Sequence, residues 1–364
     1  MAFDPEIYDR GLFDLGRRAR AGVGLVRSEW RGRGQTPFGL VERLACVRRG
    51  FSSRSAALYG LDGPPDPAVY VSDWHEGALA ERPGRRHAAM FDDKLAFYYA
   101  LRSITPRVTP VLGFVLHGRY VPVDEPEGER PVEAYLRGLD RPVVLKPNFG
   151  IHGNGIIFAE PGGAAGPRLR GAMGETSLTP ESVARRIAGS EYLVAPLVVQ
   201  AAYARQIFPD ATNTVRVMTM LDVDTGRPFV PVCIHRFGSM RTAPIDAFFK
   251  GGVVAEVDVG TGTLGRLVAL PVGGKRVMLD EHPDTGTRVP GTQIPHWREM
   301  IDHMLEVADR LRFLPYVGWD VIVADDGFWI NEGNVQPSLK LLQAARPILT
   351  DPRVARFFRH HRII

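Results

Sequence analysis

Of the 45 basic residues in this 364-residue chain only five are lysines, Lys94, Lys146, Lys250, Lys275 and Lys340; the other forty are arginines. Lysine and arginine are not equivalent phosphate ligands, and a chain that uses arginine wherever positive charge suffices keeps lysine where a compact ammonium on a flexible stem is needed. Lys146 has the most informative setting. It ends the apolar run Val143-Val144-Leu145, and the chain then passes through a loop with Gly150, Gly153 and Gly155 into Ile156-Ile157. Glycines let a loop fold its amides over a polyphosphate while an ammonium neutralises the oxygens. The pattern is not a Walker loop, in which Lys and Ser/Thr follow the glycines and open a helix. Nor is it a dinucleotide fingerprint, because a strand follows it. A glycine-rich hairpin of purely structural use would carry the same residues.

A second group lies far along the chain. Gly318-Trp319-Asp320-Val321-Ile322-Val323, a turn at Asp325-Asp326-Gly327, and Phe328-Trp329-Ile330-Asn331-Glu332-Gly333-Asn334 read as a hairpin of two strands. Residues two apart on a strand share a face, so Asp320 can converge with Glu332 and Asn334. Two carboxylates and an amide oxygen make a hard-oxygen Mg²⁺ site of the kind that also engages nucleotide phosphates. Solvated surface charges are the plain alternative. The flanking residues are apolar, however, and buried strands do not keep acids without partners.

Holding such groups together requires strands. Thr109 to Leu116, Val143 to Lys146 and segments 155–159, 191–199, 213–223, 228–237, 253–258, 264–270, 316–324 and 328–332 read as strands. Asp92 to Leu101 has carboxylates at its start and Leu95, Tyr98 and Leu101 at helical spacing, so it reads as an amphipathic helix. Val132 to Leu139, Glu181 to Ala188 and Trp297 to Leu311 also read as helices, as does most of residues 1 to about 60. Gly63-Pro64-Pro65-Asp66-Pro67 breaks that first helical stretch. The expected fold class is α+β with much antiparallel sheet.

Composition excludes several functions. Hydrophobic residues make up 45% and charged residues 24%, as in an ordinary globular chain. No apolar run approaches the length of a transmembrane helix. The acidic start Met1-Ala2-Phe3-Asp4-Pro5-Glu6 is unlike a signal peptide, so a cytoplasmic location is expected. Cys46 and Cys233 have no partner motif. Net charge is +4, and residues 1–60 alone carry eleven arginines against six acids. Such a segment can attract phosphate-rich partners or an anionic membrane surface. No aromatic-interleaved basic stripe accompanies it, which argues against nucleic acid.

The order of the chemical residues resembles the ATP-grasp superfamily, and more narrowly its sugar-transfer-associated branch. The matching features are Asp93-Lys94 opening a helix, Lys146 with its glycine loop, Asn213-Thr214-Val215-Arg216-Val217-Met218-Thr219, Arg236, Gly251-Gly252, Gly318-Trp319-Asp320 and Glu332-Gly333-Asn334. The resemblance implies an ATP-grasp fold, in which subdomains 89–190 and 191–364 clasp ATP and a mainly helical region, 1–88, precedes them. It implies ATP and two Mg²⁺ ions as cofactors. Lys94 and Lys146 then fall at the ATP phosphates, with Gly150, His152, Gly153 and Gly155 as a lid over them. Asp320, Glu332 and Asn334 fall at the metal, and Lys250 near the terminal phosphate. Arg216 and Arg236 would bind carboxylate and the transferring phosphoryl group, and backbone groups of Leu197 and Val198 would read the base.

The implied reaction phosphorylates a carboxylate and lets an amine (or thiol) displace phosphate, in glycan or natural-product biosynthesis. The partners are therefore small-molecule carboxylates and amines. A phosphotransferase acting on a hydroxyl, or a non-catalytic nucleotide-binding partner of glycan-assembly enzymes, would use the same cradle. Three positions depart from the family pattern. Ala195-Pro196 replace a hinge glutamate, Asp246-Ala247 replace Asp-Asn, and Gly318-Trp319 precede Asp320 where peptide-ligase relatives often carry an arginine.

Overall fold

Side chains alternate across a strand, so a sheet with two different covers splits its residues by parity. The computed structural model describes residues 22–30, 34, 36–63, 65–79, 84, 87–124, 128–150, 153–172, 175–176, 178–335 and 337–364. Among them the strands are β1 Gly113–Leu116, β2 Arg119–Pro122, β3 Arg130–Pro131, β4 Val143–Pro147, β5 Ile157–Glu160, β6 Arg168–Gly171 and β7 Tyr192–Pro196, followed by β8 Thr214–Leu221, β9 Pro228–Phe237, β10 Val253–Val257, β11 Leu264–Ala269, β12 Val277–Leu279, β13 Tyr316–Ala324 and β14 Gly327–Val335. They form two seven-stranded sheets, in the orders β3-β2-β1-β7-β4-β5-β6 and β12-β11-β10-β9-β8-β13-β14. Every pairing of these strands is antiparallel.

In the first sheet Val143, Leu145, Ile157, Ala159, Leu169 and Val194 pack against Val132, Tyr135 and Leu136 of helix Val132–Arg137 and Val183 and Ile187 of helix Pro180–Ile187. The alternate residues, Val144 and Lys146 with their cross-strand partners Phe158, Ala195 and Leu193, therefore turn to the other face. The second sheet is buried on both faces. Val215 and Val217 join one core with Met300 and Met304 of helix Trp297–Arg310. Met218, Met220, Ile234 and Val254 join another with Ala56, Leu58, Tyr59, Leu342, Phe357 and Phe358. Residues 51–71 thus complete a core of the second sheet. Burying such a side chain is worth roughly 1.5–3 kcal/mol, so this segment is held by packing.

The expected strand 109–116 divides. Only Gly113–Leu116 enters the first sheet, while Thr109 N–H donates to Ile330 O at 2.9 Å and Ile330 N–H to Arg107 O at 2.7 Å. The preceding segment thereby covers the open edge of β14, which would otherwise present unpaired backbone groups. The single helix expected over 92–101 also divides, into Ala89–Asp92 and Lys94–Arg102. Asp93 is extended and its side chain accepts from Ala96 N–H at 2.9 Å, so it caps the second helix and puts Lys94 in the first turn.

Candidate active site between the two sheets

The two lysines reach one strand from different directions. Lys146, at the end of β4, donates to Asn331 Oδ1 at 2.6 Å. Lys94 Nζ lies 3.4 Å from Glu332 Oε1 and donates to Gly150 O at 3.0 Å. A lysine in the first turn of a helix opposes the helix dipole, an arrangement that favours a bound anion. Asn148 fixes this geometry. Its backbone N–H donates to Glu191 O at 2.8 Å, its Oδ1 accepts from Leu95 N–H at 3.0 Å, and its Nδ2 donates to Glu191 Oε2 at 3.1 Å.

Asn331 and Glu332 are adjacent on β14, and strict alternation would send them to opposite faces. The register explains their convergence. Asp320 pairs with Glu332 but Val321 pairs with Ile330, so Asn331 is the extra residue of a bulge. A bulge re-aims a side chain, and here Asn331 meets Lys146 beside the Glu332 that meets Lys94.

Asp320 sits at the centre of the second sheet's contribution. It is 3% exposed and lies opposite Arg216 on β8, which binds it through both Nε and Nη2, the latter at 2.9 Å. Arg236 Nη2 adds an ion pair at 3.2 Å. Arg236 also donates to Thr214 Oγ1 and lies 3.3 Å from Asp246, whose Oδ2 accepts from Thr214 N–H and Oγ1. Burial pushes the Asp320 carboxyl up, but Arg216 and Arg236 outweigh it and hold the group below its ordinary value. At Asp246 burial wins over Arg236 and raises the pKa. Burial pushes the Lys146 ammonium down to about 8, with Lys94 adding to the fall and Glu332 and Asp320 opposing it.

Gly318 lies two residues before Asp320, on the same face. A Cβ there would stand 2.6 Å from Pro337 Cβ and 3.3 Å from Arg216 Cδ. The missing side chain makes room for Arg216, so the cation absent before Asp320 in sequence arrives from the neighbouring strand.

Of the glycine loop, Gly150, Gly153 and Gly155 are described, and His152 lies outside the described residues. Lys250 Nζ donates to Asn154 Oδ1 at 2.9 Å, which ties the loop to the second sheet's side of the cleft. Gly155 has φ +77°, and a Cβ would meet Tyr192 Oη at 3.0 Å and Pro147 Cγ at 3.1 Å. Gly155→Ala is therefore expected to cost about 1–2 kcal/mol of stability, read as a lower urea midpoint; an unchanged midpoint would show that the loop does not need this turn. Leu197 and Val198 line a cavity of about 180 Å³ with Phe158, Arg170, Thr212 and Pro244. His235 turns away from Arg236 into the core, where it meets Tyr203 Oη at 2.8 Å and stacks on Phe237.

The sequence-selected Lys94, Lys146, Arg216, Arg236, Asp320 and Glu332 thus meet in one cleft, with Lys250 on its loop rim. Asn334 lies on the same face, opposite Gly318, where its Nδ2 reaches Gly318 O at 3.4 Å. Sequence reasoning missed Asn148, Asn331 and the partnership of Asp246 with Arg236. Two consecutive polar residues inside an apolar strand, Asn331-Glu332, were the available signal.

The donor set can be tested against Mg²⁺. Among the described residues no three His, Cys, Asp or Glu side chains form a metal cluster. Asp320 spends three of its roughly four lone-pair directions on arginines. Glu332 and the Asn334 amide oxygen carry fewer obligations. The set fits an ion whose shell phosphate oxygens and water complete, as is usual for nucleotide-bound Mg²⁺.

Two α+β halves facing each other across a lysine-lined cleft define the ATP-grasp class. The sugar-transfer-associated ATP-grasp family matches residues 82–354, about three quarters of the chain, and the chain belongs to that family. Among solved structures, N5-carboxyaminoimidazole synthetase from Staphylococcus aureus complexed with ADP is similar over 69% of this chain and 45% of that one, at 10% identity and TM-score 0.36. The ATP-grasp ligase PsnB, with a phosphomimetic variant of its minimal precursor, Mg and ADP, is similar over 74% and 61%, at 13% identity and TM-score 0.37. D-alanyl-alanine synthetase A from Vibrio cholerae is similar over 74% and 65%, at 12% identity and TM-score 0.36. The matched region spans less than two thirds of the length of each of these proteins. No curated protein matches the chain. No helix among the described residues is long and apolar enough to cross a membrane.

Proposed function

We propose that this chain is an ATP-dependent ligase that activates a carboxylate as an acyl phosphate and joins it to an amine. The observation that carries the reading is the meeting of Lys94, Lys146, Glu332 and the arginine-bound Asp320 in one cleft between the sheets. Family membership supports it. Lys94 and Lys146 hold phosphate oxygens, with Gly150, Gly153, Gly155 and Lys250 beside them. Leu197 and Val198 line the nucleobase pocket. Glu332 and Asn334, with Asp320 behind them, would hold Mg²⁺, which supplies charge neutralisation at the phosphates. Arg216 and Arg236 orient the substrate carboxylate toward the terminal phosphorus and stabilise the charge that develops there. A carboxylate oxygen attacks that phosphorus and ADP leaves. The amine nitrogen then attacks the acyl carbon, and phosphate departs.

A screen of carboxylic acids and amines for coupled ADP formation, with products identified by mass, tests the reading. An amide with released phosphate is the expected product. A stably phosphorylated hydroxyl acceptor would replace the ligase with a phosphotransferase, and absence of metal-dependent ATP turnover with every acceptor would remove catalysis.

The depressed Lys146 pKa makes nucleotide affinity pH-dependent. Below about pH 8 the ammonium is already charged. Above it, phosphate binding must take up a proton, so affinity is expected to fall by about tenfold per pH unit. Asn331→Asp places a carboxylate on the amine and should move the break upward. Calorimetric titration with ATP across the range checks both, and a flat profile would contradict them.

A further inference from the structure

Two helical segments ahead of the family-matched span turn apolar residues to solvent. Residues 22–30 bury Leu25 yet leave Val23 61%, Val26 61% and Trp30 65% exposed. Helix Leu40–Arg48 has no buried residue and exposes Leu40, Val41 and Leu44 by 75%, 80% and 61%. Positions 23, 26 and 30 share one helix face, as do 40, 41 and 44. Scattered apolar residues on a surface need no explanation, but six large ones on two adjoining helices do. Arg43 joins the helices, its Nε donating to Glu29 Oε1 at 2.6 Å and its Nη2 to Glu29 O at 2.8 Å.

The charge around these faces is one-sided. Glu29 is occupied by Arg43 and by Ser53 N–H, and Glu42 accepts from Gly39 N–H at the start of its helix. Arg27, Arg48 and Arg49 are exposed and have no ion pair among the described residues.

We propose that this surface docks on a bilayer carrying anionic lipid. Apolar helix faces set among arginines suit the boundary between headgroups and acyl chains, and Trp30 is of the type favoured there. Charge selects this occupant over a second copy of the chain, which would bring the same excess of arginine to the contact. An anionic headgroup layer neutralises it, each arginine near the surface strengthening the attraction. The surface lies outside residues 82–354, so variants made in it leave the cleft's lysines, arginines and carboxylates in place.

The test is sedimentation of the full chain with sucrose-loaded vesicles of phosphatidylcholine, alone or with about 30% phosphatidylglycerol. Co-sedimentation with the anionic vesicles is expected, falling about tenfold or more when salt is raised to about 0.5 M. A similar fall is expected for Leu40→Ser/Val41→Ser/Leu44→Ser and for Arg27→Glu/Arg48→Glu, with circular dichroism and melting like the parent's. Equal binding to neutral and anionic vesicles would overturn the proposal, as would parent-like binding by the triple serine variant. Light scattering that finds a dimer in the parent and a monomer in that variant, without vesicle binding by either, would give the surface to a second copy instead.

Discussion

Lys146→Ala is expected to lower ATP-dependent ADP release by on the order of 10²–10³-fold, the usual cost of removing a preorganised charge stabiliser. Glu332→Ala is expected to do the same. The other lysine cannot take over, because Lys94 is already engaged by Gly150 O and Glu332. Lys275→Ala, whose ammonium pairs with Asp62 outside the cleft, should turn over like the parent. Stability separates this loss from misfolding. Burial depresses the Lys146 pKa, so the folded chain holds that charge at a cost, and alanine should leave the melting temperature unchanged or raise it. A coupled ADP assay on the carboxylate found by the screen, run beside a thermal melt, gives both readouts. Parent-like turnover in Lys146→Ala would move the phosphate site off β4.

Asp320→Ala should behave differently, lowering stability by about 3–5 kcal/mol as well as removing activity. It would strand two buried guanidiniums, Arg216 and Arg236, that now share one carboxylate. Leaving a buried charge uncompensated costs far more than losing a surface pair. Glu332→Ala provides the contrast. The Glu332 side chain is 32% exposed and its contact with Lys94 is 3.4 Å long, so its removal should cost no more than about 1 kcal/mol. Urea unfolding of the two variants checks the difference. Equal midpoints would mean that Asp320 is not the electrostatic centre of the second sheet.

Much of the architecture was legible because buried strands are apolar and acids stand out in them. The segments 228–237 and 316–324 coincide with β9 and β13. Short strands at or next to the ends of the first sheet escaped: Arg119–Pro122, Arg130–Pro131 and Arg168–Gly171 are exposed in part and too short to show a hydrophobic period. The helices Leu339–Ala345 and Pro352–His360, which bury Leu342, Phe357 and Phe358 on the second sheet, start at Ser338 and Asp351, capping residues that the sequence reading passed over.

The amino-acid sequence by itself determined the inventory of the site: two lysines on separate elements, a glycine loop, two strand arginines, and acids and an asparagine on one hairpin. The hairpin acids stood out because buried strands do not keep acids without partners, whereas Lys94, Arg216 and Arg236 were selected by the resemblance in motif order. Tertiary structure decided who meets whom. Asp320 serves Arg216 and Arg236, Lys146 reaches Asn331, and Lys94 reaches Glu332. The physical reason is register. A strand's period of two places a side chain on a face, but one bulged residue at Asn331 re-aims it, and pairing between distant strands fixes the partner.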